Sequence, residues 1–231
     1  MSRQAMILAA GRGRRLRPFT DKIPKPLISI KGKPLIIHHI YRLVDMGVKS
    51  IVINTGWLGD VLESSVGYGS QWGVTITYSR ERCNARGILG TAAGIRFAIQ
   101  NNLLTEDTFF VINADVWTDF CQWDECALTE NSRVVSHLLL VPKSTDRGKG
   151  DFSLKSSGLI DCDNSNPYIF SGMGFYRKSV FQTKDPIFRH LGDMLRYYAY
   201  KGMVSGSLYP GVWQDMGTIE RIRGIDSSFD M

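Results

Sequence analysis

Apolar positions in this chain fall into short runs separated by glycine-rich and charged stretches, with a period that switches between that of strands and that of helices. Ala5 to Ala9 is an apolar run of the right length for one buried strand. Pro34 opens a helix that should run to Met46, because proline is favoured in a first helical turn, and Gly47 ends it. Ser50 to Asn54 reads as a second strand, and Leu58 to Val66 as a helix closed by the Gly67-Tyr-Gly69 turn. Val74 to Tyr78 alternates β-branched residues as a third strand. Leu89, Ala92, Ile95, Phe97 and Ile99 give Ile88 to Gln100 a helical spacing, which its glycines weaken. Thr108 to Asn113 is an apolar strand that delivers Asp115 at its end.

The remainder is richer in strands: Val134 to Val141, Asp151 to Leu154, Phe170 to Tyr176, Val204 to Tyr209 and Val212 to Asp215. Helices are expected at Leu191 to Lys201 and Thr218 to Ile225. Alternation of strand and helix predicts an α/β protein with an open, largely parallel sheet covered by helices. In such sheets ligands bind beyond the carboxyl ends of the strands. The loop at Gly11, Asn54 and Asp115 should all lie on that edge. No linker or repeat interrupts the chain, so one domain over residues 1–231 is expected.

The loop after the first strand changes the picture. Small residues Ala10, Gly11 and Gly13 let the backbone turn or a ligand approach. Arg12, Arg14, Arg15, Arg17, Lys22 and Lys25 follow, with only Asp21 to offset them. A strand feeding a small-residue loop packed with cations suits a polyphosphate, whose oxygens take backbone N–H groups and side-chain charge. Two common phosphate motifs are excluded. The dinucleotide fingerprint lacks its third glycine in Gly11-Arg-Gly-Arg-Arg-Leu16, and no Walker A string occurs.

Composition supports a soluble globular chain, 43% hydrophobic and 22% charged. A formal charge of +6 calls for an anionic partner, and eight of the 28 Lys and Arg lie between Arg12 and Lys33. They sit among prolines and glycines, with no zinc-finger or RRM-type signature, which favours a phosphorylated metabolite over nucleic acid. The four cysteines, Cys83, Cys121, Cys126 and Cys162, show no metal-ligand spacing and read as free thiols. The N-terminus runs directly into a strand, and no apolar run reaches membrane-spanning length. A cytoplasmic protein with no membrane partner is expected. Its oligomeric state is left open. Of the four histidines, His38 and His39 fall on a predicted helix, where packing is the plain reading.

The string L-A-A-G-x-G-x-R-L-x-P-x-T followed by P-K-P-L resembles the signature of the sugar-1-phosphate nucleotidyltransferases. These enzymes join a nucleoside triphosphate to a sugar 1-phosphate and release pyrophosphate. The resemblance implies a Rossmann-like (GT-A-like) mixed, mostly parallel sheet, here without the C-terminal β-helix of some relatives. It also implies a nucleotide-binding half up to about residue 115 and a sugar-phosphate half after it. It assigns Arg15 to the triphosphate and leaving pyrophosphate, and Lys25, in Pro24-Lys-Pro26, to the phosphates at the reacting centre. Leu8, Ala10, Gly11, Arg12, Gly13 and Asn54 would serve the nucleotide, and Asn113, Gly150, Asp151 and Gly172 the sugar. Asp115, in Asn113-Ala-Asp-Val-Trp117, and Asp215, in Trp213-Gln-Asp-Met-Gly-Thr218, match the family's two aspartates that share one Mg²⁺.

Further stretches, including Arg147-Gly-Lys-Gly-Asp-Phe152 and Phe170-Ser-Gly172, point to the uridylyltransferases of the family. UTP and N-acetylmuramic acid 1-phosphate, in peptidoglycan recycling, are then the implied substrates. A guanylyltransferase for mannose or heptose 1-phosphate, and a non-catalytic nucleotide-sugar sensor, are the alternatives. One departure stands out: relatives carry a glutamate in an L-E-T-G-G-G segment where this chain reads Leu89-Gly-Thr-Ala-Ala-Gly94. Gly90 supplies no carboxylate and should leave room there, with Glu81 or Arg86 as possible replacements. The E-K-P element of many glucose-1-phosphate enzymes is also missing around Asp163 to Tyr168.

Overall fold

Strand and helix alternate from the first residues of the computed structural model, which describes residues 2–81, 89–124, 128, 133–143, 148–162, 166–184 and 186–227. The chain forms β1 (Gln4–Leu8), β2 (Ser29–Ile30), β3 (Lys33–Pro34), α1 (Leu35–Asp45), β4 (Ser50–Thr55), α2 (Gly59–Val66) and β5 (Thr75–Arg80). Then come α3 (Thr91–Gln100), β6 (Thr108–Asn113), β7 (Val116–Thr118), β8 (Ser136–Pro142), β9 (Ser153–Leu154) and β10 (Ile160–Asp161). The last elements are β11 (Tyr168–Arg177), α4 (Leu191–Tyr200), β12 (Val204–Leu208), β13 (Trp213–Asp215) and α5 (Ile219–Ile225).

Contacts gather these elements into two compact units interleaved along the chain. The first takes Met1–Leu89, Asn113–Trp123 and Val212–Met231; the second takes Gly90–Ile112 and Asp124–Gly211. Residues 90–112 of the half expected to end at about residue 115 thus belong to the second unit, whereas the Asp215-Met-Gly-Thr218 stretch from far along the chain belongs to the first.

In the first unit β4 pairs in parallel with β1, from Gln4↔Ser50 to Leu8↔Asn54, and with β5, from Ser50↔Thr75 to Thr55↔Arg80. Ala5, Met6, Ile7, Ile51, Val52 and Ile53 have no exposed surface. Burial on both faces explains why these strands read as continuous apolar runs rather than alternating ones. The crossover helix α1 buries Leu35, Ile36, His39, Ile40 and Leu43, one stripe at helical spacing. It ends as Gly47 N–H returns to Val44 O and Val48 N–H to Leu43 O, the paired bonds of a Schellman end. Two small antiparallel ribbons, β2–β3 and β7–β13, complete the unit.

In the second unit the strands lie in the order β12-β8-β11-β6. β12 runs parallel to β8, whereas β11 runs antiparallel to both β8 and β6. A register shift against β8 between Phe170 and Gly174 marks a bulge in this ten-residue strand. Phe109, Tyr176 and Phe181 form its aromatic centre, with ring centroids 5.8–6.5 Å apart. Helices α3 and α4 cap each other: Ala92 N–H donates to Arg189 O at 3.0 Å, and Leu191 N–H to Thr91 Oγ1 at 2.8 Å.

The protein is therefore α/β, with a mixed, mostly parallel sheet flanked by helices, as its periodicity predicts. Helix α3 begins at Thr91; Ile88, its expected first residue, lies outside the described residues, as do Cys83, Arg86, Cys126 and Arg147. Cys121 and Cys162 are exposed, and neither is in a disulfide among the described residues. Among the described residues no helix is long and apolar enough to cross a membrane.

Candidate active site

The chain leaves β1 through Ala9 and Ala10, both buried, and enters the cationic loop. Gly13 takes a left-handed conformation at φ 62°, and a Cβ there would stand 2.9 Å from Thr20 Cγ2 and 3.2 Å from Lys25 Cβ. Glycine is required on both counts. Thr20 Oγ1 donates to Gly13 O at 2.9 Å and draws the loop back on itself. Three short 3-10 turns follow, at Arg14–Leu16, Phe19–Asp21 and Lys25–Leu27. Leu16 anchors the loop by packing with Ile28, Leu35, Trp117, Met216 and Ile222. With Leu16 turned inward, its neighbours Arg14, Arg15 and Arg17 stay exposed.

Each arginine of the loop has a different environment. The Arg12 guanidinium lies 4.0 Å from the centre of the Trp57 ring, whose indole N–H donates to Thr20 O at 2.8 Å. Arg17 pairs with Asp21 at 3.0 Å. Arg14 is exposed. Arg15 turns toward Gly217: a methyl group placed on that glycine would stand 2.6 Å from Arg15 Nη2 and 2.5 Å from Asp215 Oδ1. The bare glycine therefore lets a guanidinium and a carboxylate share one small space.

The two aspartates, a hundred residues apart in sequence, meet through the β7–β13 ribbon. Asp215 pairs with Val116, next to Asp115, and Met216 N–H donates to Asp115 O at 2.8 Å. Lys25 Nζ bonds Asp115 Oδ2 at 2.8 Å. The lysine is only 7% exposed, far from the solvated side chain usual for a loop lysine. Arg221 Nη1 stands 3.2 Å from Asp215 Oδ2, while Asp215 Oδ1 is buried with no hydrogen-bond partner among the described residues. Arg221 is absent from the sequence-derived site. Its signal was there to find: a cation in the first turn of a helix capped by Thr218 opposes the helix dipole and calls for an anionic partner.

A family model described as "Nucleotidyl transferase" matches residues 4–147. The N-acetylmuramate alpha-1-phosphate uridylyltransferase of Neisseria meningitidis serogroup B is 41% identical over 225 residues, which cover 95% of this chain and 95% of that protein. The chain belongs to the nucleotidyl transferase family. The catalytic subunit beta of mannose-1-phosphate guanylyltransferase from Xenopus tropicalis is 38% identical over 120 residues, covering 51% of this chain and 32% of that one. Among solved structures, a UDP-glucose pyrophosphorylase complexed with UDP-glucose superposes with a TM-score of 0.77 at 18% identity, over 99% of this chain and 98% of that one. The last likeness concerns the fold alone. The relatives and fold neighbours are sugar-1-phosphate nucleotidyltransferases, and this chain is an enzyme of that class.

Within this nucleotidyl transferase site, Gly11 is exposed and has open space around it, since a Cβ there would meet nothing within 4 Å. Leu8 and Asn113, at the ends of β1 and β6, are half-buried. Asn54 differs from the expectation of a nucleotide ligand. It is buried, its Oδ1 accepts the Ala9 N–H at 2.6 Å, and its Nδ2 donates to Glu81 Oε1 at 2.7 Å. Both ends of its amide are thus held by protein partners. Glu81 is buried as well and has its own partners, so its carboxylate does not replace the missing glutamate as an open acceptor. Burial pushes the Glu81 carboxyl above the usual range, against the lowering effect of the Asn54 and Leu89 N–H donors.

His38 and His39 pack, as expected. His38 meets Trp117 edge-on at 4.8 Å and shares a hydrogen bond of 2.9 Å with Ile30 O. His39 has no exposed surface, and burial holds its pKa down to about 3, so it stays neutral.

The residues expected to face the sugar in the second unit carry structural demands of their own. A Cβ on Gly150 would run into Asn166 O and Tyr168 O. Asp151 Oδ2 accepts the Phe170 N–H at 3.0 Å, and Gly172 lies in the β11 bulge. Gly90 overturns the expectation of spare room. Its φ is 96°, and a Cβ would stand 2.8 Å from both Arg189 O and Arg189 Cγ.

Proposed function

We propose that this nucleotidyltransferase is a uridylyltransferase joining UTP to N-acetylmuramic acid 1-phosphate, with release of pyrophosphate. The observation that carries the chemistry is the meeting of Asp115 and Asp215 through the β7–β13 ribbon, with Lys25 on the first and Arg15 beside the second. The choice of substrates follows the near full-length kinship with the Neisseria enzyme. The product of that reaction would be a cell-wall precursor nucleotide, and a role in peptidoglycan recycling in the cytoplasm belongs to the same reading.

The attacking phosphate of the sugar is already largely ionised at neutral pH, because its second pKa is about 6. No general base is needed to make it a nucleophile. What limits the reaction is repulsion between two anions and the charge that builds on departing pyrophosphate. Arg15, exposed on the loop, suits the triphosphate and the leaving group, its planar fork bridging two oxygens. Lys25 serves the phosphates at the reacting centre, where a buried stem limits its wandering. Leu8, Ala10, Gly11, Arg12 and Gly13 receive the nucleotide, with Asn54 behind them. Asn113, Gly150, Asp151 and Gly172 serve the sugar.

The carboxylates fit a Mg²⁺ ion. Asp215 Oδ1 is a buried oxygen without a partner, and hard oxygen donors are what this ion prefers. Among the described residues no group of three or more His, Cys, Asp and Glu could hold a metal, so phosphate and water oxygens would fill the other positions. Asp115 and Asp215 would hold the ion, which when bound neutralises phosphate charge.

Pyrophosphate release, with four nucleoside triphosphates crossed against several sugar 1-phosphates, tests the reading. UTP with N-acetylmuramic acid 1-phosphate should give the highest kcat/KM. Preference for GTP with mannose or heptose 1-phosphate would favour the guanylyltransferase reading, which rests on the half-chain likeness to the Xenopus enzyme. Binding of UDP-sugars with no turnover of any pair would indicate a sensor.

A further inference from the structure

β1 and β4 stop pairing at Leu8↔Asn54, so the next backbone donor, the Ala9 N–H, has no strand partner. The Asn54 side chain takes over, accepting that N–H at 2.6 Å and extending the order of the sheet one residue into the loop. An amide can do this in only one orientation, because its two ends are a donor and an acceptor. Glu81 selects the orientation. Its carboxylate accepts from Asn54 Nδ2 at 2.7 Å and from the Leu89 N–H at 2.9 Å, and its own N–H donates to Thr55 O at 2.8 Å. Asn54 and Glu81 are 3% and 5% exposed, so water cannot readily replace these bonds. The residues after Ala9 are Ala10 and Gly11, and Gly11 opens onto free space.

We propose that Glu81 is a positioning residue for nucleotide binding: acting through Asn54, it fixes the Ala9 N–H and with it the Ala10–Gly11 backbone that receives the nucleoside. The inference rests on the nucleotidyltransferase reading of the loop. It also gives the carboxylate a place in this chain that differs from the family's glutamate. It works beneath the loop and holds Leu89, the residue preceding Gly90.

A polarity swap tests it. In Glu81→Gln, one of the two N–H donors facing the side chain meets another donor. In Asn54→Asp, two carboxyl groups face each other. Combining the two substitutions restores all three bonds with only the middle one reversed: the new aspartate accepts from Ala9 N–H and from the new glutamine amide, whose oxygen accepts from Leu89 N–H. Each single variant should raise the KM for UTP about tenfold, with kcat and the KM for the sugar 1-phosphate changed less than about threefold. The double variant should return the UTP KM to within about threefold of the parent. Amide hydrogen exchange at Ala9, read by NMR, should accelerate in the single variants and slow again in the double.

Unchanged UTP KM in Glu81→Gln, or a double variant no better than the worse single one, would overturn the proposal. So would a rise in both substrate KM values together, the mark of general loosening. If Asn54→Asp fails to fold, Glu81→Gln and the double variant still decide. A parent that turns over no nucleotide would sink the functional reading instead, while Ala9 exchange would still report on the hydrogen-bonded chain.

Discussion

Lys25 Nζ stands 2.8 Å from Asp115 Oδ2, across ninety positions of sequence. The lysine side chain is 9% exposed and the aspartate 39%, so the pair lies where the interior opens to solvent. One cation thereby holds one candidate metal ligand in place. Lys25→Ala should lower kcat/KM by about 2–4 kcal/mol, the loss typical of a charge-stabilising group. Lys25→Arg should not rescue it, because a planar fork does not replace a point charge at the end of a buried stem. Asp115→Asn and Asp215→Asn should lose most turnover with the fold intact by circular dichroism. Parent-like activity for Asp215→Asn at saturating Mg²⁺ would take that residue out of the site.

The loop arginines should separate by environment. Arg15→Ala should cost about 2–4 kcal/mol in kcat/KM, as expected for lost transition-state charge stabilisation. Arg14→Ala, at an exposed position, should stay close to the parent. Arg12→Ala should fall between them, because it removes both a cation and the cover of Trp57. Equal losses at all three, measured by pyrophosphate release, would mean a diffuse electrostatic patch rather than assigned roles.

Gly217→Ala isolates the space shared by Arg15 and Asp215. Its methyl group would arrive 2.5 Å from Asp215 Oδ1 and 2.6 Å from Arg15 Nη2, distances that push both groups away. Activity should drop at least tenfold, about 1.4 kcal/mol in barrier, with a small change in melting temperature. Parent-like activity would show that the two groups work as well when displaced.

Gly90→Glu should damage the protein rather than fill spare room. At φ 96° and ψ 160° a side chain costs about 1–3 kcal/mol in backbone strain alone. The clash with Arg189 O adds to that. A clear fall in melting temperature is expected, and a variant as stable as the parent would contradict the close approach of Arg189 to Gly90.

Acid should destabilise the protein through His39. Its pKa falls from 6.5 in the reference state to about 3 when buried in α1. The unfolded chain therefore binds a proton that the folded one refuses, so stability is full above about pH 6.5 and lost as pH falls toward 3. The slope approaches ~1.4 kcal/mol per pH unit within that window. Urea unfolding of the parent and of His39→Gln at a series of pH values measures it. The substitution should flatten the fall between pH 6.5 and 4, and parallel curves would exclude His39 as the cause.

Local pattern alone determined much of this protein. The apolar runs at Ala5–Ala9, Ser50–Asn54 and Thr108–Asn113 became β1, β4 and β6, because strands buried on both faces need continuous apolar stretches. The helices kept their punctuation, with Pro34 before α1 and Thr218 capping α5. The cationic loop and both aspartates were legible because motif spacing is a property of the chain. The strands β2, β3, β7 and β10 were not, since two or three residues are too short to show a period.

Tertiary structure decided the rest. Nothing near Tyr168 says that β11 runs antiparallel to both its neighbours, because strand direction depends on where the chain returns from. Arg221 on Asp215, Lys25 on Asp115 and Asn54 between Ala9 and Glu81 join residues 6 to 90 positions apart, and a hydrogen bond is fixed by distance in space. The room foreseen at Gly90 vanished for the same reason: its neighbour is Arg189, almost a hundred residues away, and only the folded backbone brings that carbonyl against it.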